Sequence, residues 1–297
     1  MRPDTLSGTF GGFDAPLPRR AVLIGLGAAA LCPAVSAAAE DALAAIERRS
    51  GGRLGAFAID TGSGRSLAHR ADERFLMCST TKLASVAAVL ARVDAGTERL
   101  DRRVSYTAAE IAVGYNPDTK AHLAEGGMTL EAVCRAAIVH SDNGAANLLF
   151  ASLGGPEAVT RFVRGLGDAA SRFDRVEPAL NHPDGERDTT TPRAFAGLTR
   201  ALLLGDALAP ASRTRLDGWT VACETGLKRI RAGVPAGWTV GDKTGTAGPV
   251  ADDVAVLRPP GRPPIVVAAY CDAPGLSDDR REAVLAEVGR VAAGLAG

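Results

Sequence analysis

The chain has 297 residues, of which 46% are apolar and 23% charged, with 34 basic side chains balanced by 34 acidic ones. A polymer of this length buries enough apolar surface to fold without relying on metals or disulfides. A formal net charge of +0 offers no field to draw in nucleic acid or an anionic membrane, so a small-molecule or peptide substrate fits better.

Residues 1–39 read as an export leader. A polar lead ends in Arg19-Arg20, an apolar run covers 21–31, and Pro33 precedes the small-residue stretch Val35-Ser36-Ala37-Ala38-Ala39, where cleavage is expected near 37–39. The paired arginines before a Gly/Ala-rich segment suit the twin-arginine route as well as the general one. Pro33 and the many small residues argue against a retained anchor. The mature chain is expected in the periplasm or outside the cell, free of the membrane and monomeric.

A short helix over 41–49 leads into a hairpin, with strands 53–60 and 66–69 flanking Thr61-Gly62-Ser63-Gly64-Arg65. The Ala-rich run 83–93 predicts a buried helix whose first turn contains Ser79 and Lys82; three positions apart, they share one helix face. Helical periodicity then dominates, over 130–140, 144–153, 156–166 and 192–204. Strands return over 239–246, 254–257 and 265–270, and an amphipathic helix over 277–295 closes the chain. Strands at both ends with helices between predict an α+β fold. One antiparallel sheet with terminal helices is built from 40–70 and 217–297, an all-helical domain spans 71–216, and the active site lies at their junction.

The chemistry is concentrated in a few residues. Only four of the 34 basic residues are lysines, and two of them close Ser79-Thr80-Thr81-Lys82 and Lys243-Thr244-Gly245, with Ser141-Asp142-Asn143 between. Lysine can lose its proton when buried, whereas a guanidinium stays charged, so a lysine kept beside a serine suits proton transfer. Each motif alone has a plainer reading: Ser-x-x-Lys as a solvated helix face, Ser141-Asp142-Asn143 as a helix cap, Lys243-Thr244-Gly245 as an edge-strand charge before a bulge. Cys78, Cys134, Cys223 and Cys271 show no Cys-x-x-Cys spacing. His69, His122, His140 and His182 show no His-x-x-x-His spacing, so neither metal nor other cofactor is expected.

Together and in this order, the three motifs resemble those of the class A β-lactamases and penicillin-binding proteins, over roughly residues 41–297. The segment Arg175-Val176-Glu177-Pro178-Ala179-Leu180-Asn181 resembles the loop that separates the β-lactamases from their penicillin-binding relatives. Tyr115, Asn147 and Glu186-Arg187-Asp188-Thr189-Thr190 also sit where the family pattern places them. The resemblance implies a β-lactam substrate, with Ser79 as nucleophile and Lys82 or Glu177 as its base. Ser141 would relay a proton, and Glu177 with Asn181 would hold the hydrolytic water. It further implies that Tyr115, Asn143, Lys243, Thr244, Gly245 and Thr246 bind substrate. An arginine usually follows Lys-Thr-Gly in the family; here Arg229 matches an alternative position, with Arg281 a second possibility or simply a solvated helix charge. Cys78 and Cys134 match halves of two family disulfides whose partner positions hold Ala247 and Val86, so neither bridge is expected. The loop ends, Arg175 and Asp188, are expected to pair. After Asn181 the loop is about two residues shorter than the family pattern, turning at His182-Pro183-Asp184-Gly185, which would widen one wall of the site. A D,D-peptidase acylated but not turned over, and a noncatalytic β-lactam sensor, remain alternatives.

Overall fold

The computed structural model describes residues 37–297. The expected leader lies outside them except for 37–39, which open the first helix. In chain order the elements are α1 (Ala37–Ser50), β1 (Arg53–Asp60), β2 (Ser66–His69), β3 (Phe75–Leu76), α2 (Thr81–Asp94), β4 (Arg103–Ser105), α3 (Pro117–Ala121), β5 (Gly127–Thr129) and α4 (Leu130–Val139). They continue with α5 (Asn143–Leu153), α6 (Pro156–Gly165), β6 (Thr189–Thr190), α7 (Pro192–Leu203), α8 (Pro210–Val221), β7 (Thr239–Ala247), β8 (Val250–Arg258), β9 (Ile265–Asp272) and α9 (Asp278–Ala293).

The main sheet has the order β2-β1-β9-β8-β7, antiparallel throughout, so strands from both ends of the chain interleave. β8 and β9 are buried along nearly their whole length. That lack of alternation means both faces are covered. Leu43 and Ile46 of α1 and Val284, Leu285 and Val288 of α9 cover one face. The other face shares a core with the helical layer, centred on α2, whose residues from Thr81 to Leu90 are all buried. This is the α+β arrangement that the sequence predicts.

One row across the sheet positions the site. Gly245 pairs with Asp252, Asp252 with Tyr270, and Tyr270 with Gly55, so these four residues project from the same face. A Cβ on Gly55 would lie 2.3 Å from the Phe75 ring, and one on Gly245 would lie 2.8 Å from the Met77 carbonyl and 3.1 Å from Cys78 Cβ. The missing side chains therefore let the segment from Phe75 to Ser79 lie directly on the sheet. This brings the turn bearing Ser79 against β7.

Candidate active site

Ser79 sits in a single 3-10 turn, Cys78–Thr80, and not in the first α-helical turn that the sequence predicts; α2 starts at Thr81. Cys78 adopts φ 45°, in the left-handed region that breaks a continuous helix. The Thr80 and Thr81 hydroxyls fasten the turn by donating to the Met77 and Cys78 carbonyls at 2.7 and 2.9 Å. The expected contact still forms, with Lys82 Nζ 2.8 Å from Ser79 Oγ.

Lys82 is fully buried and crowded by acceptors: the Ser141 carbonyl at 2.8 Å, Asn143 Oδ1 at 2.6 Å and Glu177 Oε1 at 3.1 Å. Burial pushes its amine below the ordinary lysine value, while the Glu177 charge pulls the other way. Lys243 reaches the same place from β7. Its Nζ donates to Ser141 Oγ at 3.0 Å and to the Thr244 carbonyl at 2.8 Å, and burial, helped by the charge of Lys82, lowers it to about 8. The Ser141 hydroxyl thus lies between two amines, 3.4 Å from Lys82 Nζ.

The plainer reading of Ser141-Asp142-Asn143 as a helix cap proves compatible with the chemical one, whereas that of Lys243 as an edge-strand charge before a bulge does not, since its side chain is fully buried. Asp142 caps α5 by accepting from Ala145 N at 2.7 Å, and also accepts from Asp118 N and Thr119 N at 2.9 Å each. That hub holds Ser141 at φ 60° and ties the Tyr115 segment to the turn, where Asn143 N donates to the Tyr115 carbonyl at 2.8 Å. β7 is an edge strand, yet it carries no bulge, because pairing runs unbroken from Thr239 to Ala247.

Glu177 is held through its backbone. Asn147 Oδ1 accepts from Glu177 N and Asn147 Nδ2 donates to the Glu177 carbonyl, both at 2.9 Å, across a loop with a cis Glu177-Pro178 bond. Asn181 Nδ2 donates to Glu177 Oε2 at 2.5 Å. The expected pair at the loop ends is present, with Arg175 Nε 2.6 Å from Asp188 Oδ2 and a second guanidinium nitrogen 2.7 Å from the His182 carbonyl.

Arg229 is buried behind β7. It donates to the Gly245 and Asp252 carbonyls at 2.8 Å each and to Thr246 Oγ1 at 2.6 Å. Arg281 is neither a second such group nor a solvated charge: it is buried, donates to the Ala273 and Leu276 carbonyls, and pairs with Asp278. The cleft, about 210 Å³, is lined by Ser79, Tyr115, Ser141, Asn143, Asn181, Thr225, Thr244 and Thr246. Sequence reasoning missed Thr225, whose hydroxyl lies 2.5 Å from that of Thr244. It follows α8 in a turn with no periodicity or motif to mark it. A neighbouring recess of about 380 Å³ shares Asn181 and Thr246 and continues between Pro178, His182 and Pro183 on one side and Ala247, Gly248 and Pro249 on the other. All four cysteines among the described residues are free and buried.

The model of the beta-lactamase enzyme family matches residues 38–295. A relative from Nocardia asteroides, beta-lactamase AST-1, is 51% identical over 259 residues, covering 86% of this chain and 83% of its own. Beta-lactamase L2 from Stenotrophomonas maltophilia is 46% identical, with 86% and 84% covered. Among solved structures, a beta lactamase from Burkholderia vietnamiensis aligns with TM-score 0.86 and 57% identity, over 88% of this chain and 97% of that one. An ancestral Gram-negative class A beta-lactamase aligns with TM-score 0.84 and 55% identity, over 86% and 99%.

Proposed function

The chain belongs to the class A β-lactamases, and from that premise we propose that it hydrolyses penicillins and cephalosporins through an acyl-enzyme on Ser79 and so confers β-lactam resistance. Ser79 attacks the lactam carbonyl as its proton passes to Lys82 or toward Glu177, both in contact through the Lys82 amine. The backbone N–H groups of Ser79 and Thr246 stabilise the oxyanion. Ser141, between the two amines, passes a proton to the departing ring nitrogen. Lys243, Thr244, Thr246 and Arg229 cradle the substrate carboxylate, with Gly245 allowing β7 its close approach. Asn143 keeps one N–H beyond its bond to the Val113 carbonyl for the acyl amide, and Tyr115, 60% exposed, forms the rim.

The observation that carries the hydrolytic reading is the placement of Glu177. A carboxylate beside Lys82 and bonded to Asn181 is placed to activate water against an ester on Ser79. The adjoining recess favours bulky acyl side chains. No helix of the described residues is long and apolar enough to cross a membrane. The enzyme acts as an exported monomer, periplasmic or secreted, on a small molecule and without a cofactor.

Glu177→Gln keeps the shape and removes the basic oxygen. Penicillin should still acylate this variant, which then stalls, giving a stable adduct on Ser79 by mass spectrometry and turnover down by about 10²–10⁴-fold. A D,D-peptidase would stall in its native form and change little on substitution. A variant that turns over as fast as the native enzyme refutes the role of Glu177.

A further inference from the structure

The two hydroxyls of the cradle each meet a protein group before any substrate arrives. Thr246 Oγ1 accepts from Arg229 at 2.6 Å. A guanidinium has donors and no acceptor, so the Thr246 proton is left for the cleft. Thr244 Oγ1 is met instead by another hydroxyl, Thr225 Oγ1 at 2.5 Å, which in turn lies 3.3 Å from Cys223 Sγ. Thr225 stands in the turn after α8, held there by the neighbouring Glu224 N–H, which donates to the Val139 carbonyl at 3.1 Å. Thr225 and Thr244 both line the cleft, while Cys223 is buried behind them.

A hydroxyl has one proton to give, and a carboxylate has none. Thr244 can therefore donate to a substrate carboxylate only when Thr225 donates to Thr244, which leaves the Thr225 oxygen to accept in its turn. Burial pushes the Cys223 thiol up from its ordinary value, so the sulfur keeps its proton at neutral pH and can supply that donor. We propose that Thr225 is a positioning residue for carboxylate binding: the chain of donors Cys223 Sγ–H, Thr225 Oγ1–H and Thr244 Oγ1–H runs in one direction and holds the Thr244 proton toward the substrate. Donors aligned in this way polarise one another, so a weak thiol at the head still strengthens the bond at the far end. No proton leaves its oxygen or sulfur and no covalent step is involved. The effect falls on recognition of the carboxylate, and so on KM more than on kcat. The inference deepens the proposed hydrolysis and rests on it for one point, that the substrate places a carboxylate in the cradle.

Thr225→Val keeps the shape and removes the hydroxyl. In steady-state kinetics on the full chain, KM for an anionic penicillin should rise about three- to tenfold, as for one lost hydrogen bond, while kcat and the KM of the methyl ester stay within about twofold. Thr225→Ser should restore the native KM, and Cys223→Ala should show a smaller rise of about two- to threefold, in keeping with a weak thiol donor. An unchanged acid KM in Thr225→Val, or an equal rise on acid and ester, overturns the role of Thr225; a native KM in Cys223→Ala overturns the thiol at the head of the chain. A double-mutant cycle separates the relay from a general effect on cleft shape: in a Thr244→Val background Thr225→Val should add nothing, and a full additional rise refutes the relay. The same acid-against-ester ratios, read as Kd by calorimetry on the Ser79→Ala background, do not depend on turnover. Absence of any β-lactam hydrolysis by the native chain would therefore count against the proposed function, while the Kd ratios still decide the relay, and a carboxylate that adds nothing to binding there would overturn it.

Discussion

Two cation–carboxylate pairs in this molecule, one fully buried and one whose cation is partly exposed, are built differently. In the catalytic centre Lys82 meets Glu177, both side chains fully buried, and the amine is shared among several acceptors. At the neck of the loop Arg175 meets Asp188, which is 1% exposed and also accepts the Asp174 and Arg175 N–H groups at 2.8 and 3.0 Å. The guanidinium fork divides its donors between a carboxylate and a carbonyl in fixed directions and cannot release a proton. The amine is a point donor that can. A chain using lysine at only four of 34 basic positions places two of them, buried, on either side of the Ser141 hydroxyl, and arginine at the neck of the loop.

The sharpest way to break this contrast is Lys82→Arg, which keeps the charge and abolishes the neutral form. The acylation rate should fall by about 10²–10⁴-fold in stopped-flow measurements, and a near-native rate would mean that Lys82 acts only as a fixed charge. Next in size is Arg229→Ala. Losing its charge-assisted contact should raise KM about 10- to 100-fold for carboxylate-bearing substrates, corresponding to about 1.5–3 kcal/mol. The corresponding ester should be little affected; equal losses on acid and ester would remove Arg229 from the cradle.

Lys243 gives a pH test of intermediate size. Because burial lowers it from 10.5 to about 8, the folded state holds fewer protons than the unfolded state between those values. Stability therefore carries the full penalty of a buried charge below about 8 and regains it as pH climbs toward 10.5. Lys243→Met should accordingly melt higher than the native enzyme at neutral pH, the advantage fading as pH rises through about 8, while native KM for carboxylates increases over the same range. A variant less stable at every pH would contradict the assignment. The smallest effect is expected of Arg175→Lys, which keeps the charge but loses the fork. It should cost about 0.5–1.5 kcal/mol in thermal unfolding, with deacylation slowed more than acylation. Equal slowing of both steps would detach the neck from the water-activating loop.

Legibility did not divide the chain into an easy and a hard half: α4, α5, α6 and α7 in the middle fall within one residue of their predicted bounds, whereas β8 runs over Val250–Arg258 against a predicted 254–257. The hairpin of β1 and β2 matches its prediction residue for residue, because the turn between two apolar runs is spelled out by Gly62 and Gly64. α8 gave no such signal: Ser212 and Thr220 are buried beside Leu216 and Trp219, and Gly218 interrupts the pattern, so no apolar stripe marks the face turned inward. The two-residue partners β3 and β6 exist only because their neighbours bring them together. The site was legible where a motif compressed it, at Ser79, Lys82, Ser141 and Lys243. It was not at Thr225, whose meaning comes from Thr244 across the cleft, nor at Arg281, whose burial depends on carbonyls of a loop preceding its helix.

The interleaved sheet also sets the order in which the molecule can be made. β1 emerges from the ribosome early, but its inner neighbour β9 is among the last segments synthesised, and until then the β1–β2 hairpin stands as an isolated pair of marginal stability. Ser79 and Lys82 are translated soon after that hairpin, yet the strand bearing Lys243 and Gly245 arrives only near the end. Contacts of such long sequence separation slow folding and leave a nascent chain with exposed apolar strands. A chain cut short before β9 therefore lacks the strand that joins β1 to β8, and the two halves of the sheet stay apart.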